Sequence, residues 1–170
     1  MAEAFAVLNA LDPSAAAAAL RRACGAERWV ARMLARRPYA STEQLLELAD
    51  EEWRACGRQD YLEAFACHPR IGEDLAALRQ RFQSTAGLSS REQAGVSLAS
   101  EATLRALRDA NAQYFERFGF IFIICATGKS ADEMLAALRQ RLHNDPDDEL
   151  AIAAGEHAAI TRIRLTGLAS

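Results

Sequence analysis

The stretch STEQLLELADEEW, residues 41–53, sets the fold class of this chain. Ser41 stands three residues before Gln44, which is the spacing of a capping box at the start of a helix. The apolar residues that follow recur at the intervals of one helical face: Leu45, Leu46, Leu48, Ala49 and Trp53. The segment therefore predicts an amphipathic helix that buries this face and stops near Gly57.

Three more helices are predicted between the N-terminus and this stretch. The first covers residues 4–10, and the second is capped by Asp12, has a proline at its first helical position and ends at Gly25. The third covers residues 27–36, carries Trp29 among the apolar residues of one side, and is closed by a proline. The first third of the chain therefore has the pattern of a helical scaffold.

Helical patterns continue downstream. A short helix over residues 59–66 is followed by another over 73–82. A helical turn then opens at Ser89, and Gly95 is expected to separate this turn from a long helix over 101–118. Helix is thus also the predicted state of most of the middle of the chain.

Residues 120–125, with the sequence FIFIIC, do not fit a helical pattern. They are apolar on both sides and rich in β-branched and aromatic residues, which is typical of a buried strand or extended segment. Since no second strand pattern is present to pair with it, we predict an extended segment threaded through helices. Such a segment leaves backbone donors and acceptors that a ligand can satisfy.

Two capped helices complete the chain. Ser130 precedes Glu133 by three residues and starts a helix that runs to His143. Asp145, followed by a proline, caps a final helix that runs to about Leu165. Both starts follow the rules for a helix N-terminus.

These elements together predict an all-α fold. The chain has 170 residues, which is enough for one sizeable core and short for two domains. No internal repeat and no linker rich in Pro, Gly or Ser is visible. We expect a single domain over residues 1–170, built as a bundle of roughly seven to nine helices, with one extended apolar segment near 120–126.

Composition and charge exclude several classes of protein. The hydrophobic share of 51% and the charged share of 25% are typical of a folded globular domain and not of a disordered one. The net charge is −3 and the basic residues are scattered instead of clustered, which argues against a nucleic-acid or anionic-membrane surface. No apolar run reaches the length that a membrane-spanning helix needs.

The cysteines and the N-terminus indicate a cytoplasmic protein. The four cysteines form no CxxC pair and lack the spacing of a small disulfide-rich domain. Acidic Glu3 precedes the first apolar residues, and no basic region typical of a secretory signal is present. A reducing compartment is the expected location.

Motifs for cofactors and metals are not matched. Residues 126–130, ATGKS, resemble the end of a phosphate-binding loop, but Ile123 stands where that motif needs glycine. The three histidines lie far apart and lack the helical spacing of zinc or di-iron sites. We therefore expect no metal and no cofactor.

Residues 65–73, FACHPRIGE, form the stretch that points to a site. Pro69 lacks a backbone donor, and its ring disfavours the α conformation at the preceding residue. His68 should therefore stand at a helix end with a presented imidazole. It can equally be a cap or a surface residue. In the same way Glu92 can be only the capping-box partner of Ser89, and Arg164 can belong to a solvated helix face.

Four separated motifs occur together in the chain: HPRIG at 68–72, Ser89-x-x-Glu92-Gln93, FGFIFIICA at 118–126 and Arg164-Leu165. This set closely resembles the 2-oxo-4-hydroxy-4-carboxy-5-ureidoimidazoline (OHCU) decarboxylases of urate breakdown. The resemblance covers nearly the whole chain. Leu88 departs from it, since many members carry an aromatic residue before the serine.

The resemblance implies a role for each matching residue. His68 corresponds to the catalytic acid/base of the family and Glu92 to a second catalytic group. The residues that correspond to substrate contacts are Pro69, Ser89, Gln93 and Arg164, together with the main chain of Phe122, Ile123, Ile124, Cys125 and Ala126. The resemblance also implies an all-helical homodimer that uses no cofactor, acts on the small molecule OHCU and yields (S)-allantoin.

Two other hypotheses remain open from the sequence. The chain could be a cofactor-free lyase that acts on a different ureido or carboxylated heterocycle. It could also be a non-catalytic helical interaction domain, in which His68 and Glu92 serve only as capping residues.

Overall fold

The computed structural model describes residues 2–69, 76 and 90–169, and of residues 90–100 it describes the backbone alone. Within these ranges the chain forms eight α-helices and a closing 3₁₀ turn at Gly167–Ala169. The helices are α1 Ala4–Ala10, α2 Pro13–Ala23, α3 Glu27–Ala35, α4 Thr42–Arg54, α5 Arg58–Ala66, α6 Ser90–Phe118, α7 Ala131–Arg141 and α8 Pro146–Thr166. The described residues contain no β-strand, and the predicted all-α class is confirmed.

The helix starts predicted at Asp12, Ser41 and Ser130 are confirmed by capping bonds. The Asp12 carboxylate accepts from the backbone N–H groups of Ser14 and Ala15 at 2.9 and 3.0 Å. Before α7, the Ser130 hydroxyl accepts from the N–H of Glu133 at 3.2 Å, and the Glu133 carboxylate accepts from the N–H of Ser130 at 2.8 Å. These side chains satisfy N–H groups that a helix start leaves without partners.

One predicted boundary is wrong. Gly95 was expected to separate a short turn from a long helix, but α6 runs through it without interruption from Ser90 to Phe118. A glycine inside a helix costs only about 1 kcal/mol relative to alanine, and the many helical residues on either side can offset that cost. The helix predicted over 73–82 lies outside the described residues, apart from helical Ala76.

The chain divides into two compact units, residues 1–68 with 154–170 and residues 69–153. In the first unit, both tryptophans are buried and their indole N–H groups are satisfied. Trp29 donates to the carbonyl of Ala49 at 3.0 Å, and Trp53 donates to the carbonyl of Ala154 at 2.9 Å. A buried indole needs such a partner for its single polar atom. The bonds therefore fix α3 and α8 against α4.

The second unit packs aromatic residues around the predicted extended segment. Residues 121–126 have no regular secondary structure, which confirms the extended segment. Tyr114, Phe120 and Phe122 are buried and meet edge to face. The apolar character on both sides of the segment thus reflects burial, as the pattern indicated.

A buried ion pair supports this segment. Arg141 donates to the carbonyl of Ile123 at 2.8 Å and to the carboxylate of Glu149 at 2.7 Å. Its guanidinium also lies 4.5 Å from the centre of the Phe122 ring. Asn144 and Tyr114 donate to the same carboxylate, so both oxygens of the buried Glu149 side chain accept hydrogen bonds.

Candidate active site

The end of α5 places His68. The N–H of Cys67 donates to the carbonyl of Ala64 at 3.2 Å, and the N–H of His68 donates to the carbonyl of Phe65 at 3.1 Å. These bonds close the last turn of the helix, and Pro69 prevents a further one. The helix thus stops immediately before the His-Pro pair, as the sequence predicted.

His68 is half-buried and lies against a second histidine of the same unit. The ring centroids of His68 and His157 are 5.0 Å apart and the rings meet edge to face at 84°. Burial, and to a smaller degree the positive charge of Arg164, lowers the pKa of His68 to about 4. The imidazole is therefore neutral at neutral pH and can accept a proton.

A cavity of about 590 Å³ opens beside His68 in the first unit. Its size suits a small molecule. The residues that line it are Arg21, Arg22, Ala23, Gly25, Cys67, His68, Arg164, Gly167 and Leu168. These residues include three arginines and no carboxylate, although Arg21 is paired with nearby Glu27. The lining is therefore suited to an anion.

Arg164 is held by the C-terminal end of α2. Its Nη1 donates to the carbonyls of Arg22 and Ala23 at 3.3 and 3.4 Å. Carbonyls at a helix end lack helical partners and favour a nearby cation. Since these bonds use only Nη1, the other guanidinium nitrogens remain able to bind an anion in the cavity.

Arg162, two residues earlier on α8, has a different environment. Its Nη1 pairs with Asp50 at 2.6 Å, and the residue does not line the cavity that contains His68. It lines a separate open depression with Leu46 and Ile163. Of the two neighbouring arginines, Arg164 alone thus lines the cavity with His68.

The predicted main-chain contacts lie in the second unit. Phe122, Ile123 and Ile124 are buried. The carbonyls of Cys125 and Ala126 accept from the side chain and the N–H of Lys129, at 2.9 and 3.1 Å. Together with the bond from Arg141 to Ile123, these contacts use three carbonyls of the segment.

Three of the predicted site residues have little or no structural description. Ser89 lies outside the described residues, and Glu92 and Gln93 are described only as backbone within α6. Pro69 is exposed directly after His68. Among the described residues there is no group of three His, Cys, Asp or Glu side chains that could hold a metal ion.

A family profile described as OHCU decarboxylase matches residues 9–166. The chain belongs to the OHCU decarboxylase family. It is 36% identical over 155 residues to the uric acid degradation bifunctional protein TTL of Arabidopsis thaliana, covering 86% of this chain and 45% of that protein. It is 41% identical over 108 residues to the 2-oxo-4-hydroxy-4-carboxy-5-ureidoimidazoline decarboxylase of Mus musculus, covering 60% and 56% of the two chains. The chain thus spans about half the length of the curated relatives that it matches.

A solved structure supports the same assignment. The crystal structure of an OHCU decarboxylase in the presence of (S)-allantoin superposes with a TM-score of 0.69 at 34% identity, covering 87% of this chain and 94% of that one. The family resemblance carried by the four motifs is therefore confirmed, and with it the all-α fold of this family.

Sequence reasoning missed His157 and Thr161 near this candidate site. His157 is fully buried and touches His68, and Thr161 lies four residues further along α8. With Arg164 they occupy positions i, i+4 and i+7, which fall on one helical face. That spacing was available in the sequence, but it became informative only once Arg164 was placed at the cavity.

Proposed function

We propose that this chain decarboxylates OHCU to (S)-allantoin in urate catabolism without a cofactor. The observation that carries the proposal is the cavity in which neutral His68 and cationic Arg164 lie together. The substrate is a small anion with a carboxylate, and the reaction needs one group that binds the anion and one that transfers a proton. The cavity supplies both.

Arg164 binds the substrate carboxylate in this proposal. Its Nη1 is fixed on the carbonyls of α2, and the remaining nitrogens offer charge-assisted hydrogen bonds. The family resemblance assigns contacts with the ureido group and the ring amides to Gln93, Ser89 and the backbone of 122–126, and a further substrate contact to Pro69. Binding of this kind orients the carboxylate for cleavage.

The chemistry requires no external electron sink. The bond between the ring carbon and the carboxylate breaks, and its electron pair forms a double bond to the ureido-bearing carbon as CO₂ leaves. The nitrogen of the former C=N bond takes up the displaced electron pair and a proton. A proton is then added to one face of the ureido-bearing carbon, and the 4-hydroxyl loses its proton to become the carbonyl of allantoin. The protein has to orient the substrate, exclude water and move protons.

His68 delivers the proton to carbon. A bound carboxylate near the imidazole favours the imidazolium form, so substrate binding offsets the effect of burial and of Arg164 on the pKa of His68. Glu92 either accepts a bond from the 4-hydroxyl or fixes the tautomer of the imidazole. The proton therefore reaches the substrate from one side.

We further propose that residues 1–170 act as one OHCU decarboxylase domain in a cytoplasmic homodimer. The four cysteines all lie in the described part of the chain and none forms a disulfide, which supports a reducing compartment. None of the described helices is long and apolar enough to cross a membrane. The net charge of −3 gives no support for a nucleic-acid partner.

The rate of OHCU consumption tests this function. OHCU is generated in situ from urate, and its decay is followed with wild-type protein, with His68→Ala, with His143→Ala and without protein. We expect acceleration by the wild type and a loss of at least about 100-fold in His68→Ala, the usual contribution of a general acid or base. Exposed His143 lies outside the cavity, so His143→Ala should retain wild-type activity. Decay at the protein-free rate with wild-type protein would rule out the function.

A further inference from the structure

His157 is a buried polar side chain next to His68 that the proposed chemistry leaves unused. It is fully buried on α8 and stacks on Trp53, with ring centroids 4.7 Å apart at 25°. Phe65 approaches it at 5.8 Å, and His68 meets it edge to face. The rings of Trp53, Phe65 and His68 thus surround the imidazole of His157. An apolar side chain at this position would pack there without burying a polar atom.

The hydrogen bonds of His157 determine which of its nitrogens carries the hydrogen. Its Nδ1 lies 3.4 Å from the Thr161 hydroxyl, and that hydroxyl donates to the carbonyl of Ala23 at 3.4 Å. A hydroxyl has a single hydrogen and a carbonyl can only accept. The arrangement with the Thr161 hydrogen on the Ala23 carbonyl assigns the hydrogen of the other bond to Nδ1 of His157.

The remaining nitrogen of His157 is then an acceptor. Its Nε2 is buried and has no hydrogen-bond partner among the described residues. A buried polar atom without a partner is costly and calls for an explanation. Burial, the neighbouring His68 and Arg164 lower the pKa of His157 to about 3, so this ring also stays neutral at neutral pH.

Arg164 of the cavity and His157 behind His68 are connected to the same backbone carbonyl, that of Ala23. Arg164 donates to Ala23 directly, and His157 reaches Ala23 through Thr161. The chain of contacts from Ala23 through Thr161 and His157 ends at the ring of His68. The end of α2 can thus fix the imidazole and the guanidinium relative to one another.

We propose that His157 is a positioning residue for His68, anchored by Thr161 to the Ala23 carbonyl, and that its unprotonated Nε2 gives His68 a neutral polar neighbour. The proposal rests on the proposed function for its effect on catalysis. Its effect on the ring of His68 is independent of any substrate. His157 touches no substrate in this account and acts through His68 alone.

Nitrogen NMR of the imidazoles tests the positioning directly. The chain has three histidines, so protein labelled with ¹⁵N in histidine gives three ring systems that single substitutions can assign. At pH 7 we expect His157 to be the Nδ1–H tautomer and His68 to show a single tautomer. In His157→Phe, which keeps a ring between Trp53 and His68, the His68 nitrogens should shift toward averaged values. Exposed His143 should not change.

Kinetics with OHCU supply the second readout. His157→Phe and Thr161→Val should each lower kcat by about 10-fold or more while KM stays within about threefold, because binding by Arg164 is untouched. His157→Gln, whose amide can donate to Thr161, should recover part of the loss. A residue that is only structural would lower thermal stability and leave the His68 nitrogens and kcat unchanged.

The outcomes separate the two proposals. An Nε2–H tautomer of His157, or His68 nitrogens and kcat that are unaltered in His157→Phe, would overturn the positioning role. Absence of OHCU turnover by the wild type, with the predicted tautomers present, would refute the function and leave the positioning of His68 intact.

Discussion

Nη1 of Arg164 lies 3.4 Å from the carbonyl oxygen of Ala23, the last residue of α2. This contact joins the C-terminal part of the chain to the helix that lines the cavity from the other side. The guanidinium is therefore fixed before any substrate arrives, and little side-chain entropy remains to be lost on binding. Fixed charge of this kind is what recognition of a small carboxylate requires.

Arg164→Gln should weaken substrate binding far more than Arg162→Gln. Loss of a charge-assisted bond of about 1.5–3 kcal/mol raises KM by roughly 10- to 100-fold. Arg162 pairs with Asp50 outside this cavity, so its variant should stay close to the wild type. Steady-state kinetics of both variants measure the change in KM. Equal changes in the two variants would contradict the role given to Arg164.

The buried imidazoles should make the fold sensitive to acid. The pKa values of His68 and His157 are lowered from 6.5 to about 4 and about 3, so the unfolded chain binds protons more readily below pH 6.5. The free energy of unfolding therefore falls as the pH decreases through 6.5 toward 3. Urea unfolding at pH 7 and 4.5 measures this dependence.

His157→Phe should remove much of that sensitivity. At 1.36 kcal/mol per pKa unit, His157 accounts for about 2–3 kcal/mol of the difference between pH 7 and pH 4.5. His143→Gln, at an exposed position, should follow the wild type. An identical pH dependence in His157→Phe and wild type would show that His157 is not the buried neutral group described above.

Gly25→Ala should disturb the turn that carries His68. A Cβ at Gly25 would lie 2.9 Å from the Cβ of Cys67 and would also collide with its Sγ. Cys67 caps α5, so relief of the clash has to move the residue next to His68. We expect a loss of about 1–3 kcal/mol, as in other overpacked sites, and a lower kcat.

The matched control for this glycine is Gly155→Ala in α8. No atom lies within 4 Å of the added Cβ, and alanine favours helix over glycine by about 1 kcal/mol. Gly155→Ala should therefore be neutral or stabilising in thermal unfolding. Cys67→Gly removes both the Cβ and the Sγ that the new methyl group meets. If Cys67→Gly combined with Gly25→Ala were no more active than Gly25→Ala alone, the contact with Cys67 would not be the cause of the defect.

Breaking the buried pair of the second unit should be costly. Arg141→Met leaves Glu149 buried with an uncompensated charge, which typically costs about 3–5 kcal/mol. Asp109→Asn removes an exposed pair with Arg108 and should cost less than about 1 kcal/mol. Urea unfolding compares the two. Restored stability in Arg141→Met combined with Glu149→Leu would confirm that the stranded charge is the cause.

The sequence predicted the elements more completely than their contacts. Asp12, Ser41 and Ser130 mark helix starts by local chemistry, and the His-Pro pair marks a helix end for the same reason. The helix break predicted at Gly95 was wrong because a glycine ends a helix only when the residues on either side do not offset its cost. Local sequence rules were therefore sufficient to predict helix ends that depend only on neighbouring residues.

Partnerships across the chain could not be predicted in the same way. The contact of His157 with His68 joins positions 89 apart in the sequence, and the bond from Arg164 to Ala23 joins positions 141 apart. Nothing in the pattern of α8 distinguishes Arg162, which pairs with Asp50, from Arg164, which lines the cavity. The difference between the two arginines arises from tertiary packing. The sequence indicated it only indirectly, through the motifs shared with the family.

The handedness of the product tests the central claim most directly. OHCU decays spontaneously to racemic allantoin, whereas a proton delivered by His68 reaches one face of the carbon. With OHCU generated from urate in the presence of the wild-type protein, circular dichroism should show (S)-allantoin in excess, and His68→Ala should return the signal to that of the racemate. A racemic product with wild-type protein, or an unchanged (S) excess with His68→Ala, would contradict the account.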